Sequence, residues 1–360
     1  MALGAGGSVL PAVAVHAVDM SKAMAHAAGV RGVNGTAAGL SGVDGRLVGV
    51  GGEDRTGAGI GGVDGAAVGL RGRVAYVRRG DVYVDQGTGE KRLTSGGGHS
   101  RPRWAPDGRR IAFLKGRRLW VMNADGSGQR QVGSRYAAGP SWSPDGKWVA
   151  FASLSCTGGP GVYRIAATGA GAKPEVLFPR DCRGEELPEE EAPAGDAEAS
   201  LSERLRYDDA VAWSPDGTRI AFRGGDCEST YDACLSIGTV GDGAEKTVAA
   251  YGGGGLQNSG FAVVPSWRAD SAKLSWTAYQ EGETAAENEP VHLVEYDVAS
   301  GRKRTVGTAL DRELSYVDAN RAVVTGQNAG GSWVTVLCLT TGKRTPFRSG
   351  SQPSVQPVTR

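Results

Sequence analysis

The sequence predicts an all-β protein: a six-bladed β-propeller of four-stranded antiparallel blades, preceded by a flexible glycine-rich N-terminal arm. Two observations carry this. A tryptophan–turn–apolar-strand pattern recurs four times along the 360 residues. The first aromatic residue is Tyr76, so the large side chains that build a core begin only there. The expected division is therefore residues 1–71 as arm and residues 72–360 as propeller.

The recurring pattern is explicit. Arg103-Trp104-Ala105-Pro106-Asp107-Gly108 precedes Ile111-Ala112-Phe113, and Ser141-Trp142-Ser143-Pro144-Asp145-Gly146 precedes Val149-Ala150-Phe151. Ala212-Trp213-Ser214-Pro215-Asp216-Gly217 precedes Ile220-Ala221-Phe222, and Ser266-Trp267-Arg268-Ala269-Asp270-Ser271 precedes Leu274-Ser275-Trp276. Proline presets φ at the second turn position, aspartate suits the third, and glycine accepts a left-handed conformation at the end. Each copy reads as a tight hairpin, with the fourth looser because Ala269 and Ser271 replace proline and glycine. Third strands follow at 118–122, 162–165, 235–239 and 292–296, and fourth strands end near Val132, Leu177, Val248 and Val306. Four short antiparallel strands per repeat define a propeller blade.

These W-S-P-D-G-x-x-[IV]-A-F cores resemble the repeat of the TolB-like, WD-type propeller family, over about residues 72–350. The resemblance implies the fold. It also implies a cell-envelope propeller that binds protein partners, although the best-known members carry an α/β domain where this chain has its arm. Two further blades are degenerate. One spans three strands from Arg73 to Thr94, and the other four strands from Leu314 to Arg348, with Tyr316 at the tryptophan position. The tail after Ser349 is laid out like Gly98–Arg103, so it is expected to supply the inner strand that the first blade lacks. This would join the two ends and remove an open sheet edge.

The arm carries a ten-residue repeat: GVNGTAAGLS at Gly32, GVDGRLVGVG at Gly42, GEDRTGAGIG at Gly52 and GVDGAAVGLR at Gly62. Without large apolar side chains it reads as a glycine-rich spacer. Its apolar stretch from Leu3 to Val15 reads as a remnant signal sequence, lacking the basic residues that normally come first.

Strand order places the Pro-Asp-Gly turns and the later hairpin turns on one face, and the connections after second and fourth strands on the other. The second face then carries every long segment: 153–161, 179–207, 224–233, 252–260 and 278–290. Loop variation confined to one face points to binding there. Residues 184–203 hold eight acidic side chains and no basic one, expected as a solvated loop. Blade two is rich in basic residues, Arg101, Arg103, Arg109, Arg110, Lys115, Arg117 and Arg118, expected as ordinary edge charges. The candidate binding residues at the channel mouth are Arg101, Arg135, Tyr136, Tyr207, Asp208, Asp209 and Tyr231, with Tyr251 as a further exposed aromatic.

Five cysteines are present. Cys156 with Cys182 and Cys227 with Cys234 are expected as disulfides pinning loops of one face, which favours an oxidising, extracytoplasmic compartment. Cys338 is expected as a buried thiol in a strand.

No Gly-x-Ser-x-Gly elbow, Walker loop, dinucleotide fingerprint or His-Glu-x-x-His helix occurs. No catalytic residue, cofactor or metal is therefore assigned. A net charge of +1 argues against a nucleic-acid binder, and no apolar run reaches the length of a membrane-spanning helix. The reading is a monomeric, non-catalytic platform for a protein partner. The alternative is a small molecule or glycan, or a lyase or hydrolase activity, at the channel mouth.

Overall fold

Four of the blades, two to five, grow from the same turn chemistry. Asp145 Oδ1 accepts the Lys147 N–H at 3.0 Å and the Ser143 hydroxyl at 2.6 Å. Asp216 Oδ1 does the same for Thr218 (3.0 Å) and Ser214 (2.6 Å). Asp107 and Asp270 accept the N–H groups of Arg109 and Ala272. The turn then closes through a left-handed residue: Gly108, Gly146 and Gly217 have φ between 65° and 79°. The fourth copy is not looser. Ser271 adopts φ 58° and its N–H reaches Arg268 O at 2.9 Å, the same distance as Gly108 to Ala105. The aspartate cap holds that turn without glycine, at the cost of some local strain.

The computed structural model describes residues 69–85, 89–168, 171–185, 205–225, 233–252, 260–281, 284, 288–328 and 330–357. The decapeptide repeats, the apolar N-terminal stretch and nearly all of the acidic run lie outside them. Blade one contains β1 (Val74–Arg78), β2 (Asp81–Asp85) and β3 (Glu90–Arg92). Blade two is β4 (His99–Trp104), β5 (Arg110–Lys115), β6 (Arg118–Asn123) and β7 (Arg130–Tyr136). Blade three is β8 (Ala138–Trp142), β9 (Trp148–Leu154), β10 (Pro160–Ala166) and β11 (Glu175–Phe178). Blade four is β12 (Ala212–Trp213), β13 (Arg219–Arg223), β14 (Ala233–Thr239) and β15 (Glu245–Tyr251). Blade five is β16 (Gly260–Trp267), β17 (Lys273–Gln280), β18 (Glu289–Asp297) and β19 (Lys303–Val306). Blade six is β20 (Asp311–Tyr316), β21 (Arg321–Asn328), β22 (Gly331–Cys338) and β23 (Arg344–Ser349).

The last strand, β24 (Ser351–Val355), returns to blade one, whose order is β24-β1-β2-β3. All six sheets have four strands, paired antiparallel. Among the described residues the helical content is one 3-10 turn, Arg180–Cys182, and no helix is long and apolar enough to cross a membrane.

The core lies between blades rather than within them. Each of six apolar clusters is shared by two consecutive blades, the sixth joining blade six to blade one through Val323, Val334, Val336, Phe347, Val74 and Tyr76. Both faces of each sheet are therefore buried, which is why the second strands read as unbroken apolar runs. The Ile-Ala-Phe pattern now has a reason. Ile111 and Phe113 pack toward blade one, while Ala112 faces blade three and shares a cluster with Trp142. Val149 and Phe151 face blade two, and Ala150 shares a cluster with Trp213. The alanine leaves the volume that the next blade's tryptophan fills.

Polar contacts reinforce these seams. Arg73, Arg110 and Arg219 open second strands and lie over Trp104, Trp142 and Trp267 of the next blade, at 4.8–4.9 Å from the ring centroids. Each also donates to the carbonyl at the end of that blade's turn: Gly108, Gly146 and Ser271. A guanidinium can stack and donate at once, and each stack contributes about 0.5–1 kcal/mol. On the inner strands, the Ser354, Ser141 and Ser315 hydroxyls accept the N–H groups of Trp104, Trp213 and Val355 in the following blade.

Cys156 and Cys182 are bonded, with Cα atoms 5.7 Å apart. Cys234 is also disulfide-bonded; Cys227, its expected partner, lies outside the described residues. Cys338 is half-buried rather than buried. It ends β22, and its thiol reaches Thr340 Oγ1 at 3.2 Å. Hydrogen bonds from Thr340 and Thr341 pull the thiol down to about 6.

Two outcomes are expected. Ala150→Leu should overpack the seam against Trp213 and lower stability by about 1–3 kcal/mol, whereas the volume-conserving Ile220→Leu should cost less than about 1.5 kcal/mol; denaturant melts of both variants check this. Removing residues 350–360 leaves β1 as an open edge and should lower stability by more than about 3 kcal/mol. An unchanged melting temperature would contradict it.

Candidate functional site

The site is built from one repeated position. Three residues before the tryptophan, or its equivalent, the inner strand of five blades shifts register against the second strand; blade four's inner strand begins only after that position. Around the ring these positions are Gln352, Arg101, Gly139, Ala210, Val264 and Glu313. Four of them hold φ near +55° without being glycine: Arg101 (53°), Val264 (53°), Glu313 (54°) and Gln352 (57°). A left-handed conformation is strained for such residues and persists only where surroundings enforce it, so its recurrence marks a candidate functional ring.

The surroundings on one side are polar. Glu313, Gln352 and Arg101 belong to blades six, one and two, which are consecutive. The Arg101 guanidinium pairs with the Glu313 carboxylate, and its backbone N–H donates to Gln352 Oε1 at 2.7 Å. Gln352 N–H donates to Glu313 Oε2 at 3.0 Å, and the Thr325 hydroxyl donates to the same oxygen at 2.7 Å. Arg101 and these hydrogen bonds hold the Glu313 carboxyl below its ordinary range, against burial, which alone would raise it. The other side is small and apolar. Blades three and four approach so closely that a Cβ on Gly139 would lie 2.2 Å from Ala210 Cβ.

The segment leading into blade four leans across this mouth. Arg101 Nε donates to Tyr207 O at 3.3 Å. Arg117, at the start of β6's hairpin, donates to Leu205 O at 2.8 Å and stacks on the Tyr207 ring at 4.1 Å. Tyr207 nevertheless remains 49% exposed. The adjacent carboxylates part company. Asp209 is locked into a two-point pair with Arg223, at 2.5 and 2.8 Å, and accepts the Arg206 N–H. Asp208 is 7% exposed. Burial, and then the charge of Asp209, push its carboxyl up, against the opposing pull of Arg101 and Arg206.

Of the expected site residues, the structure brings together Arg101, Tyr207, Asp208 and Asp209. Arg135 and Tyr136 sit elsewhere, because the outer strand β7 runs on to Tyr136. Arg135 lies over Tyr163 and donates to Leu154 O; Tyr136 carries Arg118 on its ring and accepts the Ser153 hydroxyl at its carbonyl. Arg135 belongs to the seam between blades two and three, while Tyr136 packs against the apolar cluster shared by blades three and four. Tyr231 lies outside the described residues. Tyr251 is half-buried rather than exposed, and its hydroxyl accepts Trp276 Nε1 at 3.1 Å while burial raises it to about 12. Of the basic residues of blade two, Arg109 and Lys115 are exposed, whereas Arg101 and Arg117 are buried and Arg110 clamps a seam. Glu313, Gln352 and Thr325 are added by the structure. Counting three back from Tyr316 and Val355 reaches the first two. Among the described residues no three His, Cys, Asp or Glu side chains group as metal ligands.

No protein-family model matches the chain, and no curated protein does. Solved structures do. TolB from Acinetobacter baumannii matches with a TM-score of 0.58 and 17% identity, covering 81% of this chain and 69% of that one. A putative TolB from Agrobacterium tumefaciens gives 0.54 and 13%, covering 79% and 91%. These likenesses show the fold: a six-bladed propeller.

Asp208 predicts a pH effect. A carboxyl raised on folding binds its proton more tightly in the folded state. The stability it contributes is present below its unfolded pKa and is lost as pH rises through the folded one. Asp208→Asn keeps a neutral side chain at every pH. Its melting temperature should match the wild type near pH 3 and exceed it at pH 7. Equal values at both pH values would contradict the assignment.

Proposed function

We propose that this chain is a non-catalytic, extracytoplasmic propeller that serves as a protein-interaction platform, binding through the face that carries the long connections. One observation carries the reading. The exposed large hydrophobic side chains among the described residues are Tyr207 (49%) and Leu310 (47%). Both stand on connections from an outer strand to the next inner strand, and so on the same face. Protein interfaces concentrate their energy in a few aromatic and arginine anchors surrounded by polar groups. Tyr207 is already ordered by Arg117 and Arg101, so it gives up little freedom on binding. The opposite face presents short turns tipped by charged side chains such as Asp145 and Lys147.

The compartment rests on the Cys156–Cys182 bond, since stable disulfides belong mainly to oxidising surroundings. The likeness to TolB structures supports both readings as fold-level analogy alone.

The test is affinity capture with the full chain as bait on a cell-envelope fraction. The wild type and the opposite-face variant Lys147→Glu should retain the same protein in stoichiometric amount. The double variant Tyr207→Ser, Leu310→Ser should lose it by about tenfold or more, which corresponds to ~1.4 kcal/mol. Equal retention by all three, or by none, contradicts the proposal.

A further inference from the structure

The segment that leads into blade four crosses the mouth as a short arch with pinned feet. Leu205 is buried in the cluster shared by blades three and four, and its carbonyl accepts the Arg117 guanidinium at 2.8 Å. Asp209 accepts Arg223 at two points, and the Val211 N–H beyond it donates to Gly139 O at 3.1 Å. The crown of the arch, residues 206–208, is held more lightly. Arg101 Nε reaches Tyr207 O at 3.3 Å, and Arg117 stacks on the Tyr207 ring.

Asp208 stands in this crown, buried beside the exposed Tyr207. The charges that face it are Asp209 and Arg206 on its own segment and Arg101 on β4. Arg101 is already engaged: its guanidinium pairs with Glu313 on β20, which Arg103 of β4 also faces. Arg223 on β13 is taken by Asp209, and Arg117, from the hairpin between β5 and β6, by Leu205 O and the Tyr207 ring. A neutral Asp208 carboxyl suits this place. An ionised one is a buried charge next to Asp209 that competes with Glu313 for Arg101. The same balance holds the carboxyl above its ordinary range. The charged form is better solvated outside, and the lightly held crown is the part of the arch that can give way.

We propose that residues 206–208 are a proton-operated switch. With Asp208 protonated, the crown lies down and seats Tyr207 on Arg117; when the proton passes to solvent, Asp208 turns out to water and Tyr207 is unseated. The seated form is therefore favoured at low pH and is lost as pH rises through the folded-state titration of Asp208. Partner binding through the loop face weakens over the same range. That consequence rests on Tyr207 being an anchor of this face, whereas the switch itself does not.

The test is fluorine NMR of the full chain, with the ring at position 207 labelled as non-titrating 4-fluorophenylalanine, followed from pH 3 to pH 9 without any partner. The labelled chain should pass from a seated to a released signal, with a midpoint above the ordinary aspartate value of about 3.9. Adding Asp208→Asn should keep the seated signal throughout, and adding Arg117→Gln should give the released signal at every pH. One unchanged signal in the labelled chain, or the same transition with Asp208→Asn, would overturn the switch. Affinity capture at pH 5 and pH 8 with unlabelled chains reads the consequence separately. Wild-type retention should fall at least about threefold between them, while Asp208→Asn retention stays level. A label that titrates beside capture that does not would overturn the control of binding. Absence of any captured partner would contradict the platform reading alone, because the label reports the switch without it.

Discussion

The structure depends on one pairing: β24 against β1. A propeller stores its core in the seams between blades, so every blade needs two neighbours. Five seams arise between blades that follow each other along the chain. The sixth exists only because the C-terminal strand crosses back to the first blade. That strand does more than complete a sheet. Its Ser354 hydroxyl accepts the Trp104 N–H of blade two, and its Val355 N–H donates to Ser315 of blade six. Gln352 at the same time bonds Arg101 and Glu313. Closing the ring and assembling the channel mouth are thus the same set of hydrogen bonds.

The repeat supplies a scaffold, and function arises where its symmetry lapses. Three residues before the tryptophan, or its equivalent, four of the six blades share a left-handed backbone, but no two of those four share a side chain. Blades six, one and two place Glu313, Gln352 and Arg101 there, whereas blades three, four and five place Gly139, Ala210 and Val264. One half of the channel is polar and internally paired, and the other is small and apolar. The Arg101 guanidinium reaches outward from this ring to the Tyr207 backbone, so the inner lining also steadies the exposed aromatic on the loop face. Two surfaces are coupled by one side chain.

The features legible in the sequence were local and periodic. The Pro-Asp-Gly turns, the apolar second strands and the return of the tail all follow from patterns within a dozen residues. What was not legible depends on register. Glu313 and Gln352 lie in blades without tryptophan, so nothing in their own surroundings marks them as partners of Arg101. Arg135 and Tyr136 were expected at the mouth. The outer strand of blade two instead runs on to Tyr136, and Ala137 alone separates it from β8. Alternation along blade two showed many arginines, but it could not say which would stack on a neighbouring tryptophan and which would be buried at the centre.

The claim that ring closure and channel mouth are one construction is tested most directly by native-state hydrogen exchange. The amides to follow are Arg101, Trp104, Gln352 and Val355, with those of β1 as reference. If the account holds, all exchange through global unfolding, with one common opening free energy. Exchange of the Gln352 and Val355 amides at a markedly lower free energy, while β1 and Arg101 stay protected, would show that the tail is an independent appendage and would contradict it.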